Sequence, residues 1–217
     1  MEAIVFDWDG TLVDTLPAIT RANAAVLGQF GVPYDDEAYR AAYSPDWRNM
    51  YRKLGVPDDR IEEAGMRWLG EYRALMGEVR AFSGALAALE SLASAGFRMG
   101  LVTAGDRPVV EHQLLATGLG TYLPVRVCGG DLPYDKPHPE PLFRALRELG
   151  VQERPELVTY VGDAPDDMRM ARAAGARGVG IVSMLGHRRD LEAAGAAEVS
   201  DSVAGWVAAF LASAAAR

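Results

Sequence analysis

Short apolar runs alternate with helical patterns along most of this chain, and that alternation restricts the fold more than any other feature. The runs cover residues 3–6, 97–102, 125–128, 157–161 and 178–182. Their length and their lack of polar alternation fit strands covered on both faces. Between and after them, helical patterns cover 84–95, 108–117, 139–149, 166–174 and 202–215, the first with Ser83 placed as its cap. Gly96, Gly118, Gly150 and Gly175 each follow a helical pattern, where glycine suits a left-handed helix end. Such alternation predicts an α/β fold, a parallel sheet with helices on both faces.

Residues 15–80 break the pattern. No strand is expected there; three helical segments are, over 16–30, 36–54 and 58–76. Two of them end in the same stop signal, Gly31-Val32-Pro33 and Gly55-Val56-Pro57, glycine for the left-handed end and proline to bar continuation. Asp14 is placed to cap the first helix, and the acidic Asp35-Asp36-Glu37 suits a helix start. The spacing predicts a small all-helical domain, 15–80, inserted after the first strand into a core built from 1–14 and 81–217. A chain of 217 residues accommodates one such core and its insertion.

Ligands of open parallel sheets bind outside the carboxyl ends of the strands, so the polar residues expected at those ends are the candidates. The first run ends in Asp7-Trp8-Asp9-Gly10-Thr11, the second in Thr103-Ala104-Gly105-Asp106, and the fourth in Gly162-Asp163-Ala164-Pro165-Asp166-Asp167; a loop between carries Lys136. Carboxylates gathered at one edge repel and call for a cation. Asp7 and Asp163 suit magnesium, which takes one or two carboxylates together with water and phosphate oxygens. Asp7 is then a candidate nucleophile, because carboxylates form aspartyl-phosphates. Asp9, two residues on in an extended segment, faces the same side as a general acid/base, and Trp8 between them points away into packing.

Composition narrows the partners. With 22 basic against 30 acidic residues the net charge is −8, which argues against nucleic acid. One cysteine, Cys128, and three scattered histidines leave no thiolate or imidazole metal site. No apolar run approaches the ~18–20 residues of a membrane-spanning helix, and the N-terminus lacks the basic start of a signal peptide. A cytoplasmic protein, monomeric or homodimeric, is expected.

Taken in order, Asp7-x-Asp9-Gly10-Thr11-Leu12-x-Asp14, an apolar strand ending in Thr103, Lys136-Pro137, and Gly162-Asp163-x-x-x-Asp167 followed by Ala171-x-Ala173-Ala174-Gly175 resemble the four motifs of the haloacid dehalogenase-like superfamily. The helical insertion directly after the first motif is similar to the cap of its phosphoglycolate-phosphatase-like branch. The resemblance covers nearly the whole chain and implies a three-layer Rossmann-like core with a helical cap. It implies a magnesium-dependent phosphatase acting on a small phosphorylated metabolite through an aspartyl-phosphate. Asp7 would be nucleophile and metal ligand, and Asp9 general acid then base, its backbone carbonyl also facing the metal. Thr103, Ala104 and Lys136 would bind the phosphoryl group, Asp163 would ligate magnesium, and Asp167 would orient Lys136 or a metal-bound water.

Asp9 separates this chain from the dehalogenase branch, which lacks that second aspartate because halide loss needs no proton. A phosphonate-cleaving relative would need a Schiff-base lysine in the cap, and Lys53, the lysine there, reads as a solvated surface residue. Substrate choice falls to the insertion, where Tyr43 and Arg48, with Arg21 and Arg52, are candidate contacts, as is Arg107 after the second motif. The segment Gly129-Gly130-Asp131 with 136–142 is similar to phosphoglycolate phosphatases, so phosphoglycolate is the substrate expected first. A phosphosugar mutase of the β-phosphoglucomutase type, or a non-catalytic phospho-ligand-binding protein, is the alternative.

Overall fold

Apolar runs that cannot leave either face in water become the inner strands of a covered sheet. The structure, a computed structural model, describes residues 3–215. Along the chain, β1 (Ala3–Phe6) and β2 (Val13–Asp14) precede four helices, α1 (Leu16–Gln29), α2 (Asp36–Ala42), α3 (Trp47–Leu54) and α4 (Ile61–Leu75), and then β3 (Arg80–Ala81). From there helices and strands alternate: α5 (Ala85–Ser94), β4 (Arg98–Asp106), α6 (Arg107–Thr117), β5 (Val125–Gly129), α7 (Glu140–Leu149) and β6 (Val158–Gly162). They continue as α8 (Pro165–Ala173), β7 (Arg177–Ile181), α9 (Arg188–Ala194), β8 (Glu198–Ser200) and α10 (Val203–Ala215).

Contacts divide the chain into two compact units, Met1–Val13 with Ala81–Arg217, and Asp14–Arg80. The first unit is an α/β, Rossmann-like core. Its six strands run parallel in the order β5-β4-β1-β6-β7-β8. The connections run outward from β1 through β4 to β5, then cross to the other side of β1 for β6, β7 and β8. The order therefore reverses at β1, which pairs with both β4 and β6, and a crevice opens at the carboxyl ends of these strands. On one face Val5, Val102 and Val127 pack with Leu142 and Leu146 of α7 and Met170 of α8.

The second unit holds α1 to α4. Helix α1 packs on α4, and α3 on α2 and α4. Its core is Val26, Leu27, Tyr39, Met50, Tyr51, Ile61 and Tyr72, with the Tyr51 hydroxyl donating to Asn23 Oδ1 at 3.2 Å. A Cβ at Gly65 would strike the Trp47 ring, so glycine there lets α4 lie close to α3.

Several local expectations are corrected. The segment 36–54 is two helices, not one: Pro45 disfavours helical backbone at Ser44, and Asp46 restarts the helix by accepting from Arg48 N at 3.0 Å. Asp14 lies exposed in β2 and caps nothing; the α1 cap is Thr15, without a side-chain hydrogen bond. The α5 cap is Gly84 at φ 78°, not Ser83, and a Cβ there would meet Ala204. Four elements, the two-residue strands β2 and β3 together with α9 and β8, have no counterpart in the expectation.

Trp8 is wholly buried, and its indole Nε1 donates to Gln113 Oε1 of α6 at 2.6 Å. Gln113→Leu leaves that N–H without its acceptor, which costs about 1–3 kcal/mol. A urea melt of the variant is expected to show a loss of that size, and an unchanged midpoint would refute the assignment.

Candidate active site

The residue after each strand of the crevice leaves the sheet with its side chain at the carboxyl edge. Asp7 follows β1, its N–H still held by Val161 O at 2.8 Å. Thr103 lies in β4, and Asp163 follows β6. Lys136 comes from the loop after β5, and Asp167 from the first turn of α8, where its Oδ2 accepts from Ala164 N at 2.9 Å.

The buried ammonium of Lys136 joins two buried acids. Nζ donates to Asp7 Oδ1 at 2.6 Å and to Asp167 Oδ1 at 2.7 Å. Burial pulls the Lys136 pKa down, but Asp167 and Asp7 outweigh it and raise it above its ordinary value. Asp163 is 1% exposed, and its Oδ2 has no hydrogen-bond partner. Carboxylate oxygens of Asp7, Asp163 and Asp167 lie within 4.8 Å of one another. Burial raises the Asp7 carboxyl well above its ordinary pKa, Lys136 opposing and Asp167, Asp163 and Asp9 adding to the rise. Asp163 is pushed up to about 7 by burial and then Asp167, against the Ser183 hydroxyl and Lys136. With all three acids ionised, as a bound cation requires, one buried lysine would leave two negative charges for the cation to balance.

The backbone makes room for this crowding. Gly10, at φ +73°, brings the turn after β1 against Asp163; a Cβ there would occupy the space of the Asp163 carboxylate. Gly162 in the same way gives way to Asp167. Thr103 Oγ1 accepts from Gly105 N at 2.9 Å and lies 3.5 Å from Asp9 Oδ2. Thus Asp7, Asp163, Asp167 and Lys136 converge in direct contact or near it, with Asp9 and Thr103 beside each other. Ala104 follows Thr103 half-buried in β4. Among the described residues, the side-chain carboxylates of Asp7, Asp163 and Asp167 form one buried cluster.

Tyr160 was not anticipated. It lies inside the apolar run of β6, yet its hydroxyl is 2.9 Å from Val102 O and 3.2 Å from Asp167 Oδ1. Ser183 beside Asp163 was also missed; it follows β7, and nothing in its local sequence signals it. In the helical unit every candidate arginine is engaged. Arg48 forks onto Glu62 at 2.6 and 3.1 Å and stacks on Trp47. Arg52 pairs with Asp58 at 2.8 Å, and Arg21 pairs with Glu78. The Tyr43 ring packs edge-on to Tyr39.

An all-oxygen donor set of three buried carboxyl groups with an orphaned carboxylate oxygen fits a hard divalent cation. Strand order brings the acid cluster and the lysine together at the carboxyl edge of a Rossmann-like sheet. The family model for haloacid dehalogenase-like hydrolases matches residues 4–181, and the chain belongs to that family. A phosphoglycolate phosphatase of Rhodospirillum rubrum is 33% identical over 217 aligned positions, covering 94% of this chain and 88% of the relative. Another, of Yersinia pseudotuberculosis, is 31% identical over 199 positions, covering 83% and 81%. A crystal structure from Bacteroides fragilis, described as a haloacid dehalogenase-like hydrolase, superposes with a TM-score of 0.87 at 24% identity over 94% of this chain and 98% of that one. Within its family the chain is a phosphoric monoester hydrolase of the phosphoglycolate-phosphatase-like branch. No helix of the described residues is long and apolar enough to cross a membrane.

Proposed function

We propose that this chain hydrolyses small phosphomonoesters through a phosphorylated Asp7, with magnesium bound and phosphoglycolate as the first candidate substrate. The observation that carries the reading is Lys136 bridging Asp7 and Asp167 with the orphaned Asp163 oxygen alongside. Asp7 attacks phosphorus and the ester oxygen departs. Asp9 gives that oxygen its proton, then takes one from the water that attacks phospho-Asp7, which restores the carboxylate and releases phosphate. Such a positioned acid/base contributes ~10²–10⁴-fold. Lys136, the Thr103 hydroxyl and the Ala104 backbone hold the phosphoryl oxygens, and Asp167 holds Lys136 in place. Asp7, Asp163 and the Asp9 carbonyl would hold magnesium, which supplies charge neutralisation for the phosphoryl group.

The unit Asp14–Arg80 is, on this reading, the cap that contributes leaving-group contacts. Tyr43 and Arg48 are its candidates; Arg48 must first leave Glu62, an exposed pair of the kind worth ~0–1 kcal/mol. A cytoplasmic location and a monomeric or homodimeric state go with a small-metabolite substrate.

Phosphate release from phosphoglycolate and common sugar phosphates, with magnesium and with a chelator, tests the reading. Turnover is expected with magnesium only. Conversion of a sugar phosphate to its isomer without phosphate release would replace it with the mutase, and metal-dependent binding without turnover with a binding protein.

A further inference from the structure

The loop that carries Lys136 is fastened five residues before it. Arg107, at the start of α6, forks onto Asp131. Its Nε donates to Oδ1 at 3.0 Å and its Nη2 donates to Oδ2. Asp131 Oδ2 also accepts from Cys128 N at 2.9 Å, closing the turn after β5. The same guanidinium reaches Arg126 O of β5 at 2.9 Å and Glu111 Oε1 at 3.1 Å, and Glu111 Oε2 accepts from Arg126 Nη1 at 2.6 Å. Exposed ion pairs contribute little as a rule. This one is bidentate, and the Asp131 side chain is only 17% exposed, the geometry in which such pairs gain strength and orientation.

What the fork joins matters more than its strength. Arg107 lies four residues after Thr103, and Asp131 five before Lys136. The β4–β5 register shifts between Val102 and Asp106, so the ladder itself does not hold Thr103 and Ala104 against the neighbouring loop. Gly129 abuts the Ala104 carbonyl so closely that a Cβ there would collide with it. The Arg107–Asp131 fork spans this irregular stretch of the ladder.

We propose that Arg107 and Asp131 form a positioning pair for the phosphate cradle, setting the Lys136 loop against Thr103 and Ala104 before substrate arrives. The inference rests on the phosphatase reading above for what the cradle holds. It assigns Arg107 to the scaffold, not to substrate contact.

Kinetics of Arg107→Ala, Asp131→Ala, the double variant and Arg107→Lys test it, with inorganic phosphate as competitive inhibitor. Each single variant is expected to raise KM and the phosphate inhibition constant together by ~10-fold or more, given that a ~1 Å misplacement costs up to ~10²-fold. The double variant is expected to be no worse than either single one, since residues acting as a unit do not add. Arg107→Lys is expected not to restore the constants, because an ammonium cannot span both oxygens. A merely structural pair would lower the melting temperature and leave KM and phosphate inhibition unmoved, which would overturn the proposal. So would a normal Asp131→Ala beside an impaired Arg107→Ala, which would place Arg107 on the substrate. If the wild-type protein turns over no phosphomonoester, the phosphatase reading fails by itself. The positioning pair is then judged by hydrogen exchange at residues 129–136, which must speed up in both single variants.

Discussion

Asp7→Asn is expected to lower phosphate release by roughly 10⁴-fold or more, the scale on which removal of a hydrolase nucleophile registers in kcat. The carboxamide keeps the shape of the side chain but lacks the anionic oxygen that attacks phosphorus, so no acyl-phosphate forms. The loss should not come from unfolding. Lys136 keeps Asp167 at 2.7 Å, so no buried ammonium is stranded, the condition under which breaking a buried pair costs ~3–5 kcal/mol. Repulsion from Asp167, Asp163 and Asp9, part of what raises the Asp7 pKa, disappears with the charge. The metal-free variant is therefore expected to melt no lower than the wild type. Adding Asp9→Asn should cost little more, because nucleophile and acid/base act in one sequence of steps. A folded Asp7→Asn enzyme retaining a tenth of wild-type turnover would exclude the covalent route.

Most of this site was legible because its chemistry sits where strands end. Four of the five longer apolar runs became inner strands and the fifth, Val125–Gly129, an edge strand, and the site residues of β1, β4 and β6 met at the point where strand order reverses. What stayed hidden has physical causes. Strand β8 is three residues, Glu-Val-Ser, none of them fully buried, so it carries no apolar run. Helix α9 has seven residues, too few turns to establish a period. Tyr160 reads as one more apolar residue of β6, and only packing reveals that its hydroxyl lies against Asp167. Arg107 shows the opposite failure. Its place after the second motif suggested substrate contact, but Asp131, 24 residues on, engages it, and no local spacing announces that pairing.

The metal-free protein is expected to lose stability as pH rises from 5.5 to 8. An unfolded Asp titrates near ~3.9, whereas burial and Asp167 push folded Asp163 up to about 7, and Asp7 is also raised. Between those values the folded state holds protons that the unfolded chain has released, so raising the pH favours unfolding. Two other kinds of group do not mask the effect. Surface acids lowered by arginine partners, such as Glu62 and Glu63, add stability that is lost only as pH falls through their folded pKa values, below this window. Lys136, raised by Asp167 and Asp7 against burial, remains charged throughout it. Most of the change should fall below pH 7, where Asp163 completes its titration. At ~1.4 kcal/mol per pKa unit the loss is a few kcal/mol, or roughly 5–10 °C in Tm for a chain of this size. Magnesium needs the same carboxylates deprotonated, so its stabilisation should grow with pH and be largest where the metal-free protein is weakest. Thermal melts at several pH values, with magnesium and with chelator, measure both effects. Asp163→Asn is expected to flatten the metal-free profile and remove most of the magnesium increment. A metal-free Tm that rises from pH 5.5 to 8, or a magnesium increment independent of pH, would mean that the buried acids do not hold the protons their surroundings call for.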